Sequence, residues 1–94
     1  MNIEKKIWPE NFEKILSREN SFELRLADFE ISVGDNLILK EFNPITKDYT
    51  GRMMIRQVLE VNKFKADKIE NADLIVPMYN KEQLNKFGLY YLVI

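Results

Sequence analysis

The sequence predicts a mostly β domain of the α+β class, a small, partly closed β-barrel of about five to six strands with two or three short helices at its rim. Segments of alternating polar and apolar residues recur along the chain, whereas only two stretches combine helical spacing with helix-start chemistry. The 94 residues, 46% hydrophobic and 31% charged, make one domain spanning 1–94 with a single core.

The first element is predicted to be a helix. Pro9 suits the first helical position, and Glu10 and Glu13 place negative charge near the N-terminus, where the helix dipole favours it. Trp8, Phe12, Ile15 and Leu16 form one apolar stripe at i, i+4, i+7 and i+8. Arg18, Glu19 and Asn20 break the pattern without a glycine, and Asn20 is the cheapest residue to take the left-handed stop.

Strands follow. In Ser21 to Leu26, Phe22, Leu24 and Leu26 point one way and Ser21, Glu23 and Arg25 the other. A turn at Val33-Gly34-Asp35-Asn36 leads into a more buried strand, Leu37 to Phe42. Asn43 to Gly51 reads as a loop, and Met53 to Val61 as a strand burying Met53, Ile55, Leu59 and Val61 on one face. Residues 62–88 read as an insert with a short helix near 80–87. Asn80 supplies the N-cap, Gln83 the capping-box partner, Glu82 and Lys86 an i, i+4 pair, and Gly88 the stop. Lys65 to Leu74 allows a further helical turn or two. Leu89 to Ile94 is a strongly β-prone closing strand pinned into the sheet.

Composition excludes several chemistries. The chain has no cysteine and no histidine, which removes thiol nucleophiles, disulfides, imidazole bases and most transition-metal sites. Acidic residues are spread singly, without metal-loop spacing, so neither a metal nor a cofactor is expected. Fourteen basic against fifteen acidic residues give a net charge of -1, so the uniformly basic field of a non-specific duplex binder is absent. No apolar run reaches the ~18 residues of a membrane span, and the expected compartment is the cytoplasm.

Five pieces, in order, carry a family resemblance: Lys6 to Phe12, Ser21 to Arg25, Val33 to Glu41, Tyr49-Thr50-Gly51-Arg52 and Tyr90 to Ile94. Together they resemble the ASCH family of PUA-like β-barrels, and more closely its small bacterial and phage domains of unknown function. The resemblance implies a barrel with a cleft against the first helix, lined by the Glu and Arg of a G-x-K-x-x-E-x-R motif, with RNA or a nucleotide as ligand. Those positions fall here at Glu23 and Arg25. The motif glycine is replaced by Arg18 and its lysine by Asn20. An amidohydrolase branch of the family uses a Lys, a Thr and a Glu on acetylated cytidine. The first two positions fall at Asn20 and Glu23, so the resemblance leans away from catalysis.

The candidate ligand-binding residues are Glu23, Arg25, Ser21, Trp8, Lys6, Arg52 and Tyr90. Glu23 and Arg25 project from one face of one strand and form either a recognition pair or an internal ion pair. Trp8 is either a base-stacking platform or part of the core stripe. Tyr90 and Tyr91 point to opposite faces, so one of them looks inward. Lys5, Lys6, Arg52 and Arg56 make a basic patch only if the fold gathers them, and Glu41 is a second cleft carboxylate or an edge charge. Ser21 has no base beside it to make it a nucleophile. The leading expectation is an RNA- or nucleotide-binding module. The alternatives are an amidohydrolase-like enzyme on a modified nucleoside and a phage or bacterial effector binding a protein, the latter suggested by the apolar run Ile75 to Tyr79.

Overall fold

A computed structural model describes residues 1–65 and 81–94. The element order is β1 (Asn2–Ile7), α1 (Pro9–Leu16), β2 (Phe22–Leu26), β3 (Asn36–Asn43), β4 (Asp48–Gln57), β5 (Glu60–Phe64), α2 (Lys81–Phe87) and β6 (Leu89–Val93). The mostly β architecture with few helices agrees with the expectation. Among the described residues the strands form two three-stranded sheets, β1-β3-β4 and β2-β6-β5. The expected N-cap Asn80, the apolar run Ile75 to Tyr79 and all but the first residue of the Lys65 to Leu74 segment lie outside the described residues.

In the first sheet β1 runs parallel to the central β3, and β4 antiparallel to it. In the second, β6 is central and antiparallel to both neighbours. The main core lies between the two sheets and α1: Ile7, Phe12, Ile15, Leu37, Leu39, Met54, Tyr90 and Leu92 are all buried in it. A smaller cluster on the far side of the second sheet joins Leu26 and Leu89 to Leu84 of α2, with Leu24 and Phe87 at its border. The second sheet is thus covered on both faces, and β2 alternates between α2 on one side and the main core on the other.

Several expectations are corrected. A strand, β1, precedes the helix. Its alternation is disguised because Lys5 occupies a core-side position opposite Leu39, its ammonium 3.7 Å from the Phe29 ring centroid. Burial pulls the Lys5 pKa down, Asp28 opposes that shift, and Arg25 adds to it. In α1, Phe12 and Ile15 are buried while Trp8 and Leu16 are 40% and 47% exposed, so the buried stripe is narrower than the sequence implies. Arg18, not Asn20, takes the left-handed conformation at φ 63°.

The segment expected to be a loop to Gly51 is a strand from Asp48 onward. Only 44–47 turns, with Asn43 Oδ1 accepting from the amides of Ile45 and Thr46. The β4 face is also inverted. Met54 is buried, whereas Met53 and Ile55 are exposed. Pairing of Met54 with Leu39 fixes that register, and the apolar residues on the outer side misled the periodicity. The single strand expected from Met53 to Val61 is in fact two, broken at the buried Val58 and the exposed Leu59, and Val61 of β5 packs against the core as expected.

Candidate functional site

Among the described residues two ion-pair clusters face the interior, and both meet the last residues of β1. The first is built on β2. Glu23 and Arg25 lie opposite Leu92 and Tyr90 of β6, on the core side of that sheet. Arg25 Nε donates to Glu23 Oε2 at 2.8 Å, and its Nη2 lies 2.6 Å from the same oxygen. Nη2 also donates to the Lys6 carbonyl at 2.5 Å, tying the second sheet to β1 of the first. Glu23 is 8% exposed, and burial pushes its carboxyl above the ordinary value against the pull of Arg25.

The second cluster is built on β3, β4 and α1. Glu41, buried at 3% exposure on the central strand β3, lies opposite Ile7. Its position rules out the edge-charge role. Arg52 grips it side-on, Nε donating to Oε1 at 3.0 Å and Nη2 to Oε2 at 2.7 Å, while the Thr50 hydroxyl donates to Oε1 at 2.5 Å. Arg52 Nη2 also reaches Glu13 Oε1 on α1 at 2.5 Å, and its guanidinium carbon lies 4.6 Å from the Phe12 ring centroid. Hydrogen bonds from Arg52 and then Thr50 hold the Glu41 carboxyl below its ordinary value. Glu41 and Glu13 in turn raise the Arg52 pKa, so it is charged at any working pH.

A β-bulge makes this arrangement possible. Between the Lys40–Met53 and Phe42–Tyr49 pairs, β4 contains more residues than β3, and Gly51 sits in the excess at φ 95°. Thr50 and Arg52, two residues apart, share the inner face by ordinary alternation, and the bulge sets both of them against the single residue Glu41.

The structure separates the remaining candidates. Lys6 contributes its carbonyl to the inner side, but its side chain lies on the outer face of the first sheet. There its Nζ is 4.5 Å from the Phe42 ring centroid and 5.6 Å from that of Tyr49. Lys6 and Arg52 therefore do not share one basic patch. Ser21 is exposed immediately before β2, its carbonyl accepting from the Ile94 amide. Tyr90 is the inward tyrosine, buried, with its hydroxyl donating to the Phe29 carbonyl at 2.7 Å, while Tyr91 stacks on Phe22 across the sheet. Trp8 sits at the head of α1, one turn before Phe12 on the same helix face.

Sequence reasoning missed the roles of Glu13, Thr50 and Phe12. The signal available was Gly51 between two polar residues in a β-prone stretch, the mark of a bulge. Among the described residues no group of three or more His, Cys, Asp or Glu side chains is placed to hold a metal ion. Nor, among them, is any helix long and apolar enough to cross a membrane.

A family model described as a domain of unknown function, DUF3850, matches residues 4–76. That span includes Glu23, Arg25, Glu41 and Arg52. The crystal structure of a hypothetical protein, PH0355, superposes with a TM-score of 0.73 at 19% identity, covering 99% of this chain and 96% of its own. The likeness is one of fold. A search of curated proteins finds no match.

Proposed function

The chain belongs to the DUF3850 family of domains of unknown function, and we propose that it is a binding module that holds RNA or a nucleotide in the cleft between α1 and the sheets. In this reading the two sheets are the halves of a PUA-like barrel of the ASCH kind. The six strands among the described residues and the packing of α1 on β3 support that reading. So does Arg18, which takes the left-handed conformation at the position the ASCH motif gives to glycine.

The observation that carries the ligand class is Arg52 over the Phe12 ring, one helical turn from the 40% exposed Trp8. A half-exposed guanidinium pairs with phosphate, and an exposed indole stacks on a base. The Glu23–Arg25 pair is the fixed wall behind them: its side chains are only 10% and 12% exposed, whereas Arg52, although also ion-paired, keeps 47% of its side chain open to solvent.

Trp8 is the one tryptophan in the chain and reports directly on its own contacts. Titration with nucleoside monophosphates at low salt is expected to change its fluorescence saturably, and Arg52→Ala to abolish the change. Fluorescence that stays constant through nucleosides, nucleotides and short RNAs overturns the reading.

A second reading, an amidohydrolase-like activity on a modified nucleoside, is favoured by the upward-shifted carboxyl of Glu23, which suits a general acid. Incubation with acetylated cytidine tests it. A turnover absent from the wild type, or unchanged in Glu23→Ala, removes this reading.

A further inference from the structure

The outer face of the first sheet takes no part in the cleft, and its side chains fall into regular rungs. Across β1, β3 and β4 these are Glu4–Ile38–Ile55, then Lys6–Lys40–Met53, then Phe42–Tyr49. Met53, Ile55 and Tyr49 are each more than half exposed, so a flat apolar strip runs beside a row of cations. A shallow groove of about 360 Å³ opens here, lined by Glu4, Lys5, Lys6, Lys40 and Tyr49.

Two ammonium groups, those of Lys6 and Lys40, and the Glu4 carboxylate stand on this outer face, although the molecule as a whole carries a net charge of -1. The local field is therefore opposite in sign to the global one. The Lys5 ammonium points to the other side of the sheet, onto the Phe29 ring, so Lys6 and Lys40 are the cations this face presents to a ligand. Lys40 is held 3.2 Å from Glu4 in an exposed pair that costs little to break. Lys6 hovers over the Phe42 and Tyr49 rings, which pack edge to face with centroids 5.3 Å apart. This packing holds the Tyr49 ring in place while leaving it 54% exposed.

We infer that this face docks single-stranded nucleic acid, with Lys6 and Lys40 on successive phosphates and Tyr49 under a base. Charge complementarity selects an anionic occupant, and an aromatic ring held in place and open to solvent selects one that stacks. Lys6 and Lys40 share one rung on neighbouring strands about 4.8 Å apart, and the Phe42–Tyr49 rung lies about 7 Å further along β3, so a pair of cations is followed by a ring at the spacing of a nucleic-acid backbone and its base. The inference extends the nucleic-acid reading to a second face and rests on it for the class of ligand.

The test is fluorescence anisotropy with a short, unstructured RNA oligonucleotide across a salt series. Lys6→Gln and Lys40→Gln are each expected to flatten the log–log salt slope by about 0.7. Tyr49→Ala should weaken binding on the order of tenfold, while Tyr49→Phe, which keeps the ring, should retain it. Glu4→Gln should tighten binding by removing the competing carboxylate.

Circular dichroism of each variant separates lost binding from lost fold, and Tyr49→Phe serves as the conservative control. Oligonucleotide affinity and salt slope unchanged in all the lysine and tyrosine variants overturn the inference. So does equal competition by an oligoglutamate peptide, which would mark the face as an acidic-peptide site. Nucleotide-induced change in Trp8 fluorescence that persists in Lys40→Gln reports on the cleft independently. Failure of one site is thereby distinguished from failure of the other.

Discussion

Replacing Gly88 with alanine tests how tightly the second sheet is joined to α2. Gly88 follows the last residue of α2 at φ 80°, and both of its backbone groups are bonded. Its amide donates to the Leu84 carbonyl at 2.8 Å, and its carbonyl accepts from the Ala27 amide at 2.9 Å. A Cβ at this position would lie 2.4 Å from the Phe64 carbonyl oxygen, well inside the 3.0 Å that real contacts respect.

The obstacle is backbone, and that backbone belongs to β5, so relief requires moving a strand end or breaking a helix cap. The left-handed conformation alone costs alanine about 1–2 kcal/mol. Forced repacking adds about 1–3 kcal/mol, giving a total of about 2–5 kcal/mol. Gly51→Ala is the internal control. Its φ of 95° is equally unfavourable to alanine, but nothing lies within 4 Å of the added Cβ, so only the conformational cost of about 1–2 kcal/mol applies.

Urea denaturation with a common m-value measures both. For a domain of this size each kcal/mol lowers the melting temperature by roughly 4–8 °C, so thermal scans separate the two variants as well. Equal destabilisation by Gly88→Ala and Gly51→Ala would refute the reasoning, because it would mean that the contact with Phe64 contributes nothing.

The two buried carboxylates should respond to pH in opposite directions. Glu41 titrates below the ordinary 4.5 when folded, so its contribution is fully present above that pH and is lost as pH falls through the folded value. Glu41→Gln should therefore destabilise at neutral pH and flatten the acid limb of a urea-midpoint profile. Glu23 titrates above 4.5 when folded, so its charge erodes stability as pH rises from 4.5 through the folded value. Glu23→Gln should remove that decline, and a midpoint profile parallel to the wild type would contradict the assignment. Tyr90→Phe deletes the hydroxyl bonded to Phe29 and should cost about 1 kcal/mol in the same assay, with the fold retained.

The strands that alternate cleanly were legible in the sequence. Phe22 to Leu26, the buried strand after Gly34 and the closing strand after Gly88 all stand where their patterning puts them. So does the start of α1 at Pro9. What escaped were positions at which tertiary structure overrides local pattern. Lys5 buries its stem on a core face and hides β1, because a long amphipathic side chain can fill an apolar position while keeping its ammonium on a ring. Met53 and Ile55 advertise a core face but point outward, since strand register answers to the pairing with β3 and not to β4 alone.

The candidate site was legible in part. Glu23, Arg25 and Arg52 stand out by position and resemblance, and the structure brings the first two together. The partners of Arg52 required the bulge at Gly51, whose geometry no spacing rule conveys. Lys6 stands out too, yet its carbonyl and its ammonium serve opposite faces of the same sheet.

The central place of β6 has a consequence for the order of assembly. Its neighbours β2 and β5 do not pair with each other, so among the described residues every hydrogen-bonded ladder of the second sheet waits for β6, the last of these strands in the sequence. Until then, Glu23 and Arg25 remain in water. They are enclosed only when Leu92 and Tyr90 arrive opposite them, after a loop closure spanning most of the domain. The desolvation of this pair is therefore a late folding event. A ribosome-bound chain lacking β6 would expose the apolar faces of β2 and β5 together, which makes the interval before β6 emerges the stage at which this small domain is most prone to aggregate.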